Sequence, residues 1–147
     1  MSSHTSKATQ WSAAGWFVLR LGIGITFLFL HGGPKLLGGP ETWVKLGGAM
    51  GSLGISFAPV FWGFCAALAE ALGGLLLILG LFVRPAAVFM LITMFVAVVF
   101  HAQNGESIAH PLEMAIVFAA LIVSGGGPWR VTRLFGGGRT QEQAPNE

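Results

Sequence analysis

Seven side chains in this sequence have types and positions suited to proton exchange or ligand binding in apolar surroundings: Arg20, His31, Lys35, Glu70, His101, His110 and Glu113. Arg20 falls near the middle of one long apolar run and Glu70 near the middle of the next. A lone charge at the centre of a bilayer costs about 3 kcal/mol on insertion scales, so two opposite charges at similar depth are expected to pair. That pair is either a structural clamp or a site at which Glu70 carries a proton while Arg20 holds its charge in place. The other five collect toward one end. His31 follows Arg20 on the helical face 20, 24, 27, 31, and His101 ends the face 90, 94, 97, 101. His110 and Glu113 are three residues apart, hence neighbours on a helix, and Lys35 and Glu106 lie close by in sequence.

Histidines beside carboxylates at the edge of an apolar cavity can bind a quinone head group and exchange its protons. The same residue types can ligate a metal, or place two imidazoles on a haem iron. No compact metal motif of the HExxH kind occurs, so no metal site is assigned, and haem held by His31 and His101 ranks below quinone. The blander reading of each histidine is a hydrogen bond to a headgroup, water or a loop carbonyl.

The elements that position these residues follow from composition. Of 147 residues 54% are hydrophobic and 10% charged, against roughly 25% charged in a soluble domain. So few charges cannot cover so much apolar surface in water, which makes lipid the expected solvent. Lys and Arg lie outside the apolar runs apart from Arg20, so the net charge of +2 bears on topology and not on nucleic acid. The single cysteine, Cys65, excludes an intrachain disulfide. Apolar runs cover about 11–30, 57–82, 86–101 and 108–124. Backbone groups in hydrocarbon must be satisfied within each segment, so each run is expected to be a helix. The first run passes into His31-Gly-Gly-Pro-Lys35 with no small-x-small cleavage site, and is taken as a retained span.

Arg84-Pro85 and 103–107 are short turns, whereas 32–56 is long and carries the stripe Trp43, Val44, Leu46 and Met50 after a helix start at Gly39-Pro40-Glu41. Gly47, Gly48, Gly51 and Gly54 make a rigid span improbable, so an interfacial or re-entrant segment is expected. The expectation is an all-α integral membrane four-helix bundle over 11–135, with disordered segments at 1–10 and 136–147. Four spans place Lys7, Arg84, Arg130, Arg133 and Arg139 on one side, and Lys35 and Lys45 on the other. The excess of positive charge puts both termini in the cytoplasm.

Arg20-Leu-Gly22, Phe27-Leu-Phe-Leu-His31-Gly32, Lys35-Leu36 and Gly38 together resemble the first helix and following loop of the DoxX family. Glu70-Ala-Leu-Gly73-Gly74, then Leu79-Gly80-Leu81 and Arg84-Pro-Ala86-Ala87, resemble its second helix and turn, with His101 and Glu113 also in place. The resemblance runs from about 16 to 135. It implies a four-helix protein of the bacterial inner membrane, among whose relatives is the small subunit of a thiosulfate:quinone oxidoreductase. The family's thiosulfate-oxidising members carry extra segments or a partner subunit, and no added domain stands in this sequence.

The function expected is a membrane subunit of a quinone-linked oxidoreductase. Glu70, His101 and Glu113 are its candidate catalytic groups, and Arg20, His31, Lys35 and His110 its ligand-binding groups. A redox partner protein is required, because the chain supplies no electron carrier of its own, and glycine-rich faces permit a homodimer. The rival expectation is a non-catalytic small transporter, or a scaffold that assembles a membrane redox complex.

Overall fold

A computed structural model describes residues 3–127, with side chains from Ser12 onward. Those residues form α1 (Ser3–Thr26), a π-helical stretch (Phe27–Gly32), α2 (Gly33–Leu37), α3 (Gly39–Gly48), a 3-10 turn (Ala49–Leu53), α4 (Pro59–Leu79), α5 (Val83–Gln103) and α6 (Ala109–Ser124). No strand occurs among them. The stretches Ser12–Leu37, Pro59–Leu79 and Val83–Gln103 are each long and apolar enough to cross a membrane. The apolar α6 has 16 residues, about 24 Å of helix against a hydrocarbon core of about 30 Å. The protein is therefore a multi-pass membrane helical bundle. Phe29, Leu30, Phe89, Phe95 and Val123 are exposed, as expected where lipid replaces water. Phe27, Leu77, Met90, Phe118 and Leu121 form the buried centre.

Without a hydrophobic force between helices in lipid, close backbone approach supplies the packing energy, and glycine permits it. A Cβ on Gly32 would stand 2.2 Å from the Ala71 amide nitrogen, and one on Gly24 would stand 2.8 Å from the Gly74 carbonyl oxygen. These contacts set α1 and the π stretch antiparallel to α4. The long connection between the first two spans is mostly helical, and it packs along α4. Added Cβ atoms on Gly63 and Gly47 would lie 1.8 Å from the Trp43 and Pro59 carbonyl oxygens respectively. Trp43 thus faces Gly63 and Gly47 faces Pro59, so α3 continues along α4 in the direction set by α1. The 3-10 turn then docks on the end of α5, where Gln103 Nε2 donates to Ser52 O at 3.0 Å.

The first span runs on past the expected end at Leu30 to Leu37. Pro34 explains the change of helix type. It has no N–H to donate, and its ring crowds the carbonyl four residues back. Widening the preceding turn to π geometry relieves that clash, and the Gly33 N–H bonds to Leu28 O, five residues back. The amino-terminal end also differs from expectation, because α1 begins at Ser3 within the segment expected to be disordered. Extending an existing helix is cheap once it is nucleated. The expected tail 136–147 and the basic residues Arg130, Arg133 and Arg139 lie outside the described residues.

Candidate functional site

Glu70 sits twelve residues into α4, about 16 Å from that helix's start, and is 2% exposed. Ala67, Ala71, Gly73 and Gly74 around it are also buried, so its environment offers little polar solvation. Its partner is Lys35. The Lys35 ammonium donates to Glu70 Oε1 at 2.8 Å and to Oε2 at 2.6 Å. Helical side chains lean toward the amino terminus, so Lys35 reaches back along its own helix to the level of Gly32 and Ala71. Its position is held from the other side, because Trp43 Nε1 donates to Lys35 O at 3.0 Å. The Lys35 side chain keeps 31% exposure, which leaves one end of the pair open to a ligand.

His31 joins this pair to α6. Its ring stacks on His110 at 5.2 Å with an interplanar angle of 19°, and lies 5.0 Å from Phe27. Phe27 in turn meets Phe118 edge-on at 5.1 Å. Gly32, the residue after His31, packs against the Glu70–Ala71 backbone, so the His31–His110 stack stands close to the Lys35–Glu70 pair. Among the described elements, α4 packs closely on α1 and α5, and α5 on α6, whereas neither α1 nor the π stretch makes an extensive approach to α6. Ring contacts bridge that seam at the level of His31 and His110.

The expected pairing of Arg20 with Glu70 is not formed. Arg20 is 1% exposed and lies against Gly80, the residue that caps the carboxyl end of α4, where a Cβ would come 2.7 Å from Nη1. It donates from Nη1 to Gly126 O, and its guanidinium sits 5.5 Å from the centre of the Phe17 ring. Gly80 is ten residues beyond Glu70, about 15 Å along the helix, which puts Arg20 at the far end of the bundle. Counting depth over the apolar run misplaced it, because the first span ends later than the run, at Leu37, which moves its midpoint beyond Arg20.

His101 and Glu113 also stand apart. His101 Nδ1 lies 2.5 Å from Glu106 Oε2, within the turn between α5 and α6, and its ring packs edge-on against Phe100. His31, its expected partner on a haem, stacks instead on His110. Glu113 is exposed on α6. Of the seven candidates, the structure brings together His31, Lys35, Glu70 and His110. Trp43 was missed as a positioning residue, because an isolated tryptophan in a long connection signals a membrane interface equally well.

The DoxX family model matches residues 15–103, which include Lys35, Glu70, His31 and His101 and stop short of His110 and Glu113. No curated protein and no solved structure matches the chain.

Proposed function

The chain belongs to the DoxX family, and on that footing we propose that it is the membrane-integral subunit of a quinone-linked oxidoreductase. Its head-group site is His31, Lys35, Glu70 and His110. The observation that carries this reading is the Lys35–Glu70 ion pair, buried on the carboxylate side, with two stacked imidazoles where the first span meets α6. The donor set fits a quinone, whose two carbonyl oxygens accept hydrogen bonds. Lys35 and an imidazole N–H supply such donors, and Glu70 can hold a proton inside the bilayer. A bound quinone would supply a two-electron, two-proton couple. In the resting site both Glu70 oxygens accept from the Lys35 ammonium, and a ligand that takes hydrogen bonds from that ammonium competes with the carboxylate for them. Protons then pass between Glu70 and the His31–His110 stack, while the His101–Glu106 pair and Glu113 serve exchange with water at the same end. Phe27 and Phe118 keep water from the bundle centre.

By the excess of Lys and Arg, both termini face the cytoplasm of a bacterial inner membrane, and the site opens toward the outer half. A redox partner protein supplies or takes the electrons. The π-helical turn Phe27–Gly32 within the first span favours a second reading, a small transporter, since π turns inside helices frequently stand at functional sites. Native mass spectrometry of the full chain released from membranes separates the two. The oxidoreductase reading expects one retained quinone per site, and a protein that neither retains quinone nor takes up an added short-chain quinone contradicts it.

A further inference from the structure

A second feature lies at the opposite end of the bundle and takes no part in the site above. The carboxyl ends of α4 and α6 meet the amino end of α5 around a half-open cavity of about 430 Å³, lined by Gly80, Phe82, Val83, Arg84, Pro85 and Gly126 among others. Arg84 donates from Nε to Ile122 O at 3.1 Å and from Nη2 to Val123 O at 3.3 Å. A guanidinium has five N–H groups, so three remain uncommitted and the side chain is exposed. The first turn of α5 carries no side-chain cap, leaving the Val83 and Arg84 N–H groups and the positive end of a 21-residue helix beside the same cavity. Behind its floor, Arg20 lies against Gly80 and Gly126 and adds a second positive charge. All carboxylates among the described residues, Glu41, Glu70, Glu106 and Glu113, stand on α3, mid-α4, the α5–α6 turn or early α6, away from this end.

We propose that this cavity binds the phosphate of an anionic phospholipid. The cavity stands where three apolar helices end, which is the depth of the headgroup phosphates. Its lining distinguishes a lipid from a free anion. Leu81, Val83 and Pro85 are apolar, and Phe82 stands 74% exposed at the mouth, positioned against the upper part of an acyl chain. A hydrated inorganic phosphate gains nothing from those groups, whereas a phospholipid places its phosphate on Arg84 and its glycerol and chains along Phe82. The Arg84 clamp on α6 then has a second consequence, because the lipid and the helix end share one guanidinium.

The test uses the full chain in nanodiscs of mixed phosphatidylglycerol and phosphatidylcholine, with native mass spectrometry reading the lipid retained on release. Phosphatidylglycerol is expected to be retained in preference to phosphatidylcholine, with millimolar inorganic phosphate failing to displace it. Phe82→Glu places a carboxylate at the mouth without touching the clamp, and should lower retention roughly five-fold, with Phe82→Gln close to wild type. Equal retention of the two lipids, displacement by inorganic phosphate, or a Phe82→Glu variant that retains as much as wild type would each overturn the proposal. Arg84→Lys, which keeps the charge and loses the fork, should fall between wild type and Phe82→Glu.

Discussion

Two levels of this bundle handle cations in opposite ways. At the Gly80 end, Arg20 and Arg84 are spent on backbone carbonyls at helix carboxyl ends, where the helix dipole itself supplies negative charge. In the middle, Lys35 meets a full carboxylate set among buried alanines and glycines of α4, with Trp43 bonded to the Lys35 carbonyl. The difference teaches that depth decides what a cation needs. Near the boundary, carbonyls and headgroups suffice. At half the depth of α4 an opposite charge offsets the cost, and whatever binds beside that pair can compete for its hydrogen bonds. The first arrangement closes the bundle, and the second is the one that can work.

The largest test of this contrast is Glu70→Ala. It leaves the Lys35 ammonium without its partner at depth and should cost about 3 kcal/mol, discounted from the fully buried case because Lys35 retains some exposure. Unfolding in mixed micelles would read this directly. The double replacement Lys35→Met with Glu70→Leu should regain most of that stability while losing ligand binding. A single variant that matches wild type in stability would mean the pair is not desolvated.

Gly32→Ala comes next. The added methyl would press on the Ala71 backbone, and crowding of that order costs about 1–3 kcal/mol. Because Gly32 also sets how closely Lys35 approaches Glu70, ligand binding should weaken with it. A variant with lowered stability and unchanged binding would separate the helix contact from the site.

Arg84→Ala should have the smallest effect, about 1–2 kcal/mol for two hydrogen bonds from a charged donor to carbonyls in a partly exposed setting. It should leave ligand binding at Lys35 unchanged, since the α6 carboxyl end is at the other end of the bundle. Loss of quinone binding in this variant would show that the two ends are coupled.

Much of the fold was legible because its cause is compositional. Long apolar runs in a chain with few charges leave helices in lipid as the one way to satisfy the backbone. Glu70 and Lys35 could be singled out individually, yet their partnership could not. That depends on the π turn at Phe27–Gly32, and Gly-Gly-Pro reads equally well as the end of a helix or as a kink within one. The same ambiguity placed Arg20 at mid-depth and opposite the wrong carboxylate. The stacking of His31 on His110 was legible only as a shared end of the bundle, since contact across a seam between α6 and the first span leaves no periodic trace in either.

The central claim is that a quinone head group is held at Lys35 and Glu70, beside Trp43. Quinones quench tryptophan fluorescence at short range, and Trp43 Nε1 is bonded to the Lys35 backbone. Titrating a water-soluble short-chain quinone into a variant that retains Trp43 as its sole tryptophan tests the claim most directly. The account predicts saturable quenching that disappears on the Lys35→Met, Glu70→Leu double replacement, with the helical spectrum unchanged. Quenching that rises linearly without saturation, or that is the same in the double variant, would contradict it.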